Sequence, residues 1–81
     1  MTCLVRYFAQ LRERLGAEAA TMELPPGARA HDLFARLFAD PQERERWQRY
    51  TRVAVNRVYV PSNTELCEGD EVALIPPVAG G

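Results

Sequence analysis

The segment from residue 68 to residue 81 has the sequence EGDEVALIPPVAGG, and the rest of the fold is arranged around it. Its first three residues, Glu68-Gly69-Asp70, are typical of a tight turn. The apolar run Glu71–Ile75 that follows predicts a strand. Two prolines end this strand, because proline has no backbone N–H to donate to a sheet. The segment therefore predicts a strand that starts from a turn and continues into a stiff tail, residues 76–81.

The tail ends in Gly80 and Gly81, which have no side chains and can enter a slot where any Cβ would clash. At about 3.3 Å per residue, six extended residues reach roughly 20 Å. We expect Gly81 to carry the free α-carboxylate, the only group of the chain that is placed for chemistry. A glycine-rich end is equally typical of a frayed terminus. The tail by itself does not separate these two interpretations.

Four more strands are predicted upstream, and together they favour one sheet. They cover residues 2–8, 17–24, 53–55 and 58–60. The first two are separated by a single helical turn with Gly16 as its C-cap, which makes them an antiparallel pair. The last two flank a turn at Asn56-Arg57. The first and final strands of the chain are both strongly apolar, so we expect them to lie side by side and parallel in the centre.

Two helices are predicted between the second and third strands. Residues 30–39 carry an apolar stripe that should cover the sheet, formed by Leu33, Phe34, Leu37 and Phe38. Asp40-Pro41 ends this helix and caps a second one, residues 42–49. One sheet with a crossing helix predicts the fold class α+β.

Charged residues dominate the second helix. Glu43 with Arg46, and Glu45 with Arg49, lie at helical spacing, and we expect both pairs to form on a solvated face. The helix and its C-terminal flank also carry a cluster of arginines, at positions 44, 46, 49 and 52. This cluster is a candidate nucleic-acid patch, but the interleaved glutamates dilute it. Trp47 is expected to pack locally.

Composition excludes several classes of function. The 81 residues make one domain with a modest core, and a net charge of -1 gives no signal for a polyanionic partner. All ten basic residues are arginine, so the chain offers no lysine side chain to an isopeptide bond. Neither a secretion signal nor a run of about 20 apolar residues is present. We expect a cytoplasmic protein that partners neither nucleic acid nor membrane.

Side chains that could carry chemistry are few. His31, the single histidine, lies at a helix start without partners at ligand spacing, so no metal site is predicted. Cys67 has acidic neighbours that oppose a thiolate, and Cys3 is expected to be a buried apolar residue. Two cysteines do not make a disulfide scaffold. We therefore expect no catalytic residues besides Gly81.

Four segments resemble the small subunit of molybdopterin synthase, the MoaD family. They are Tyr7–Glu13, Leu24–Gly27, Ala54–Asn56 and Glu68–Gly81. The resemblance extends over essentially the whole chain, and its most specific part is Gly-Asp-Glu-Val followed by Pro-Pro-Val-x-Gly-Gly. There are two departures. Arg29-Ala30 stands where the family often has Thr-Val, which costs a good N-cap, and Arg57 is less usual in its turn.

The resemblance implies a ubiquitin-like β-grasp domain, residues 1–75, with a mixed sheet of about four or five strands, and a flexible tail, residues 76–81. In that family an adenylating partner consumes ATP to activate the terminal carboxylate, here that of Gly81. A sulfur donor, a desulfurase or a rhodanese-like protein, then converts it to a thiocarboxylate. No tightly bound cofactor is implied for the carrier itself.

The large subunit of molybdopterin synthase is the acceptor that the resemblance implies. It receives the tail residues Pro76, Pro77, Val78, Ala79 and Gly80. Sulfur then passes to a cyclic pyranopterin monophosphate and forms the dithiolene of molybdopterin. Two small subunits serve a dimer of large ones, which makes a heterotetramer.

Apolar residues beside the tail predict a partner interface. The candidates are Phe8, Leu66, Ile75 and Val78, with Arg12 and Arg6 as partners for acidic groups. Each apolar candidate could instead belong to the core. Two other functions stay open: a sulfur carrier for tRNA thiolation, thiamine thiazole or cysteine synthesis, and a protein modifier whose Gly81 forms isopeptides on target lysines.

Overall fold

The computed structural model describes residues 1–77, which form a five-stranded mixed sheet and three helices. The elements are β1 (Thr2–Tyr7), α1 (Ala9–Leu15), β2 (Ala19–Glu23), α2 (Asp32–Leu37), α3 (Pro41–Tyr50), β3 (Arg52–Val55), β4 (Val58–Val60) and β5 (Glu71–Ile75). The strand order is β2-β1-β5-β3-β4. β1 and β5 are parallel, and the other neighbours are antiparallel. The predicted α+β class and the central parallel pair are confirmed.

Alternate strand residues build the core, because successive side chains of a strand point to opposite faces of the sheet. Val5 of β1, and Val72 and Leu74 of β5, are fully buried. Leu33 and Phe34 of α2 complete the same cluster, as the apolar stripe predicts. Burial of each such side chain contributes about 2 kcal/mol to folding.

The helix ends follow local sequence signals. Gly16 takes the left-handed conformation with φ 70° and donates its N–H to the Arg12 carbonyl at 2.9 Å, so the predicted C-cap of α1 is confirmed. Asp40 caps α3 by accepting the Gln42 N–H. At the start of α2 no side chain of the N-cap residue bonds to the helix.

The start of β5 is tied to the strands beside it. Gly69 is in the left-handed region with φ 81°, and its N–H donates to β1 at 2.8 Å. The Asp70 carboxylate accepts from the Cys67 N–H at 2.8 Å and from Asn56 Nδ2 at 2.9 Å. Asn56 Oδ1 accepts the Glu71 N–H at 3.0 Å. The predicted turn is therefore confirmed, and it fixes where β5 begins.

The two-residue turn between β3 and β4 has positive φ at both positions, 50° at Asn56 and 71° at Arg57. This geometry matches the right-handed twist of the flanking strands, and glycine is favoured at its second position. Arg57 therefore carries a conformational cost of about 1 kcal/mol relative to glycine. Arg57, which departs from the MoaD pattern, therefore adds local backbone strain. The predicted hairpin itself is confirmed.

One predicted ion pair is wrong. Glu43 pairs with Arg14 of α1 and not with Arg46 of its own helix. Its carboxylate accepts from Arg14 Nε at 2.7 Å and from Nη2 at 2.9 Å, a two-point contact that a single-helix pattern does not show. The other predicted pair, Glu45 with Arg49, is confirmed at 2.6 Å. The bond between Arg14 and Glu43, hereafter the α1–α3 clamp, holds the two helices together.

Candidate functional site

The base of the predicted tail lies at the end of the central strand. Ile75 is the last residue of β5 and pairs with Arg52 of β3. On the other side of β5, the Phe8 N–H donates to the Leu74 carbonyl at 3.3 Å. Pro76 is buried and Pro77 is exposed. The tail therefore starts from a strand that is hydrogen-bonded on both sides.

Four predicted tail residues, Val78, Ala79, Gly80 and Gly81, lie outside the described residues. Their assigned roles remain predictions. The two prolines before them can be placed, and they mark where the tail begins.

An open depression of about 400 Å³ lies on the sheet face opposite to the core. Its apolar members are Phe8, Ala54, Tyr59, Ala73 and Ile75. Phe8 is exposed and Ile75 is half-buried, so the structure brings two predicted interface residues together beside the base of the tail. An ion pair between Arg6 Nε and Glu71 Oε2, at 3.1 Å, forms part of its polar margin. Arg6 therefore already has an acidic partner within the chain.

Tyr59 is an interface candidate that the sequence interpretation missed. Its side chain is 55% exposed, and the Arg52 guanidinium lies 4.2 Å from the ring centroid. It pairs with Ala54 across the hairpin and therefore shares the open face of the sheet. The signal was present in the sequence, because alternation counted outward from the Asn56-Arg57 turn places Tyr59 on the same face as Ala54.

Two other predicted interface residues do not belong to the depression. Leu66 is 2% exposed and is part of the core, where its N–H donates to the Ala28 carbonyl at 2.9 Å. A side chain with so little accessible surface cannot contact a partner, so this assignment is wrong. Arg12 is exposed, and its Nη1 atom lies 4.0 Å from Oε1 of Glu18, a residue that follows the end of α1.

A second concavity lies at the base of the tail, between α1 and α3. It has a volume of about 330 Å³. The residues of this tail-base groove are Gln10, Arg46, Trp47, Tyr50, Pro76 and Pro77. It is distinct from the open depression, since the two share no lining residue.

Comparison with known proteins decides the family. The profile of the ThiS family matches residues 5–81. The chain belongs to the ThiS family. The match begins within β1 and extends through β5 and the tail, and the predicted ubiquitin-like β-grasp fold is confirmed by solved structures.

Individual relatives match this ThiS-family chain over its full length. A molybdopterin synthase sulfur carrier subunit from Chlamydomonas reinhardtii is 41% identical over 83 residues and covers all of both chains. SAMP1 from Haloferax volcanii has a TM-score of 0.82 at 27% identity, again over all of both chains. A chain of the complex between subunits 1 and 2 of the molybdopterin-converting factor from Helicobacter pylori has a TM-score of 0.65 at 28% identity, with both chains fully covered.

The remaining chemical groups of this ThiS-family chain are placed as follows. Cys3 is buried, and burial, followed by the charge of Asp70, raises the pKa of its thiol. Cys67 is exposed, and its carbonyl contacts Cys3 Sγ at 3.5 Å. His31 Nδ1 lies 3.3 Å from Asp32 Oδ1.

Within residues 1–77, no group of three or more metal-ligating side chains is assembled. Over the same range, none of the helices has the length and apolar character to span a membrane. The described residues offer two surfaces at the base of the tail.

Proposed function

We propose that this chain is the sulfur-carrier subunit of a molybdopterin synthase. One observation carries the proposal. A tail with the sequence PPVAGG follows the central strand β5, in a chain that is 41% identical over its full length to a molybdopterin synthase sulfur carrier subunit. A central strand gives the tail a firmly held base, because β5 is bonded to β1 on one side and to β3 on the other.

The loading chemistry follows from the terminal carboxylate. A carboxylate is a poor electrophile, so an adenylating partner first joins Gly81 to AMP from ATP and releases pyrophosphate. The terminal sulfur of a persulfide on a donor protein attacks the carbonyl carbon, and AMP leaves with the electron pair of the broken bond. A second thiol then attacks the sulfur–sulfur bond of this acyl disulfide, which leaves a thiocarboxylate on Gly81 and a disulfide between the two thiol sulfurs. This chain supplies reach and recognition, and its partners supply the catalytic groups.

The delivery chemistry uses the same carbonyl. A thiocarboxylate is anionic and soft, which makes its sulfur a good nucleophile. It attacks an activated carbon of a cyclic pyranopterin monophosphate, and an oxygen substituent of that carbon leaves with the electron pair of the broken C–O bond. Water then cleaves the acyl–sulfur bond, the sulfur stays on the pterin, and Gly81 regains its carboxylate. Gly80 and Gly81 suit this exchange, because the absence of Cβ atoms leaves the carbonyl open from either face.

The partner for delivery is the large subunit, with two small and two large subunits in the assembly. Support comes from the Helicobacter pylori relative, which was solved in a complex of subunits 1 and 2. The open depression is the surface that we assign to this contact. Phe8, Tyr59 and Ile75 give it an apolar centre, which is typical of the buried part of protein interfaces.

A second candidate function is that of a protein modifier, and the similarity to SAMP1, a small archaeal modifier protein, favours it. Its Gly81 would form an isopeptide with a lysine of a target protein, after the same adenylation. Because the chain contains no lysine, it cannot extend such a conjugate into a lysine-linked chain of its own copies. Incubation with the adenylating partner, ATP and candidate targets, followed by mass spectrometry for Gly81 isopeptides, tests this candidate.

Deletion of Gly81 tests the main proposal. We expect the shortened chain to keep its fold, because the deletion lies outside β5, and to lose sulfur transfer completely. Circular dichroism checks the fold, and a molybdopterin assay with the large subunit checks transfer. Mass spectrometry of the full chain, after loading, should show the replacement of one oxygen by sulfur. Sulfur transfer at the normal rate by the shortened chain would contradict the proposal.

A further inference from the structure

The tail-base groove has no role in the function proposed above. We propose that it is a second docking surface for the large subunit, and that it takes an apolar side chain flanked by a carboxylate and an N–H donor. This inference rests on the proposed function, since it concerns the same tail and the same partner. Three features of the groove support it: a rigid apolar wall, an unsatisfied acceptor and a cationic rim.

The apolar wall is held rigid from behind. The Trp47 ring stacks on Phe38, with 5.8 Å between centroids and 6° between planes. Tyr50 is 61% exposed, and Pro77 is exposed beside it, so rings line the groove from α3 and from the tail base. The α1–α3 clamp fixes the two helices. A surface that is already ordered loses little conformational entropy when a partner binds.

The unsatisfied acceptor is Gln10 Oε1. This atom is buried and has no hydrogen-bond partner among residues 1–77. Buried polar atoms in folded proteins nearly always have a partner, and leaving one without a partner is costly. Because Gln10 as a whole is only half-buried and lines the groove, rotation of its side-chain amide can bring Oε1 to a backbone N–H of a docked protein, which supplies the missing donor.

The cationic rim is Arg46. Its guanidinium forms no ion pair with any described residue. The neighbouring arginines of α3 are engaged: Arg49 pairs with Glu45, and Arg44 Nε donates to the Phe38 carbonyl. Arg46 is close enough to Glu43 to help lower the pKa of its carboxyl group, but both Glu43 oxygens are bonded to Arg14. The Arg46 guanidinium can therefore still bond to an acidic group of a partner, which defines the carboxylate of the proposed occupant.

Continuity with the tail identifies the large subunit as the occupant. Pro76 and Pro77 line the groove and are also the last described residues before Val78–Gly81. A protein that receives the residues after Pro77 is brought next to Pro77, which is exposed and lines the groove. The large subunit is the partner that receives the tail for sulfur transfer.

A spectroscopic test uses Trp47, the single tryptophan of the chain. The full chain is labelled with 5-fluorotryptophan and titrated with the unlabelled large subunit. We expect the one ¹⁹F resonance to shift or broaden in proportion to the complex formed. An unchanged resonance under conditions where binding is demonstrated by calorimetry would overturn the proposal.

Two variants test the polar contacts. Arg46→Glu should weaken binding to the large subunit about tenfold, as expected when a complementary charge is reversed. Its matched control is Arg36→Glu, the same change at an exposed position of α2 outside the groove, which should leave the affinity unaltered. Equal affinities for these two variants would overturn the proposal.

The variant Gln10→Met separates docking from folding. It removes the buried acceptor and keeps the length of the side chain, so the isolated chain should be as stable as the wild type or more so. Binding to the large subunit should nevertheless weaken about fivefold, the equivalent of one ordinary hydrogen bond. A merely structural Gln10 would instead lower the thermal midpoint and leave the affinity unchanged, which would overturn its assigned role.

The failures of the two proposals are distinguishable. If the chain without Gly81 still transfers sulfur, the proposed function fails regardless of the groove. If transfer requires Gly81 but the Trp47 resonance and the Arg46→Glu affinity match the controls, only the groove proposal fails. A response of Trp47 to the adenylating partner alone, with none to the large subunit, would overturn the choice of occupant.

Discussion

The two ends of β5 differ in how their polar groups are satisfied. At the start of the strand, Asp70 and Asn56 join the turn, the hairpin and the first residue of β5 in one hydrogen-bond network. At the finish, two prolines have no N–H to donate, and Gln10 Oε1 beside them has no partner among the described residues. The polar groups at the start of β5 find their hydrogen-bond partners within the chain. The finish of β5 lies beside surfaces that a partner protein can contact.

The difference between the two ends of β5 shows how a small domain can present a reactive tail. A strand that is held at its start and paired on both sides as far as Leu74 and Ile75 has a defined direction, so the sheet sets the point from which the tail leaves. Binding groups can then be placed at the finish at no cost to the network at the start. A substitution at one end of β5 can therefore be compared by its effect on stability and by its effect on function.

The largest expected effect is that of Asn56→Ala at the start of β5. It removes two hydrogen bonds and places alanine at a φ of 50°, so we expect the free energy of unfolding to fall by about 2–3 kcal/mol. Urea denaturation measures this loss. Asn63→Ala, at an exposed loop position, is the control and should change little.

Sulfur loading provides the other half of that test. The folded fraction of Asn56→Ala should be loaded at the wild-type rate, because the substitution lies at the end of β5 remote from the tail. If sulfur loading slows far more than the folded fraction falls, the start and the finish of β5 are not independent.

A smaller effect is expected for Tyr59→Ala on the open depression beside the finish. Removing the ring should weaken binding to the large subunit about tenfold and leave the unfolding free energy nearly unchanged. The matched control is Val58→Ala, because Val58 is 62% exposed on the same strand but points to the other face. Isothermal titration calorimetry compares the two, and a larger loss of affinity for the control would contradict the assignment.

The smallest effect is expected at the α1–α3 clamp. The hydrogen bond from Arg14 lowers the pKa of Glu43 below its ordinary value of 4.5. Because the folded-state pKa is lowered, the clamp stabilises the fold fully above the ordinary value and less as the pH falls through the lower one. We therefore expect Glu43→Gln to lower the thermal midpoint at neutral pH, with the difference from wild type vanishing in acid.

A suitable control for the clamp is Glu45→Gln, since among residues 1–77 Glu45 pairs only with Arg49, on its own helix. This exposed pair should contribute less to the thermal midpoint. If the two variants lose the same stability at every pH, the clamp is an ordinary surface pair, and the rigidity assigned to the tail-base groove loses its support.

Much of the fold could be predicted because its signals are local. Gly16 ends α1 in the left-handed conformation that glycine favours, Asp40 caps α3 with its side chain, and Asn56 begins the hairpin turn at a positive φ that asparagine tolerates. The apolar stripe of α2 and the alternation along β5 likewise depend only on the period of a helix or a strand. Such signals act within a few residues and need no knowledge of distant parts of the chain.

The errors have a common physical cause. Leu66 follows an irregular stretch after β4, where neither the strand nor the helix period applies, so its burial could not be counted from the sequence. It is buried because its side chain packs in the core cluster, and the bond from its N–H to the carbonyl of Ala28, which is distant in the chain, holds the backbone there. Glu43 was predicted to pair with Arg46 on its own helix. In the structure, two guanidinium nitrogens of Arg14 in α1 donate to the Glu43 carboxylate instead.

The sequence by itself determined the elements, the family resemblance and the expectation that chemistry belongs to Gly81, because turn residues, periodicity and a terminal motif are written in adjacent positions. Only the tertiary structure decided which side chains surround the base of the tail. Tyr59 lines the open depression with Phe8 and Ile75, and Gln10 lines the tail-base groove with Trp47, because strand order and helix packing bring together residues that are far apart in the chain. Such groupings depend on the whole fold, which no local pattern encodes.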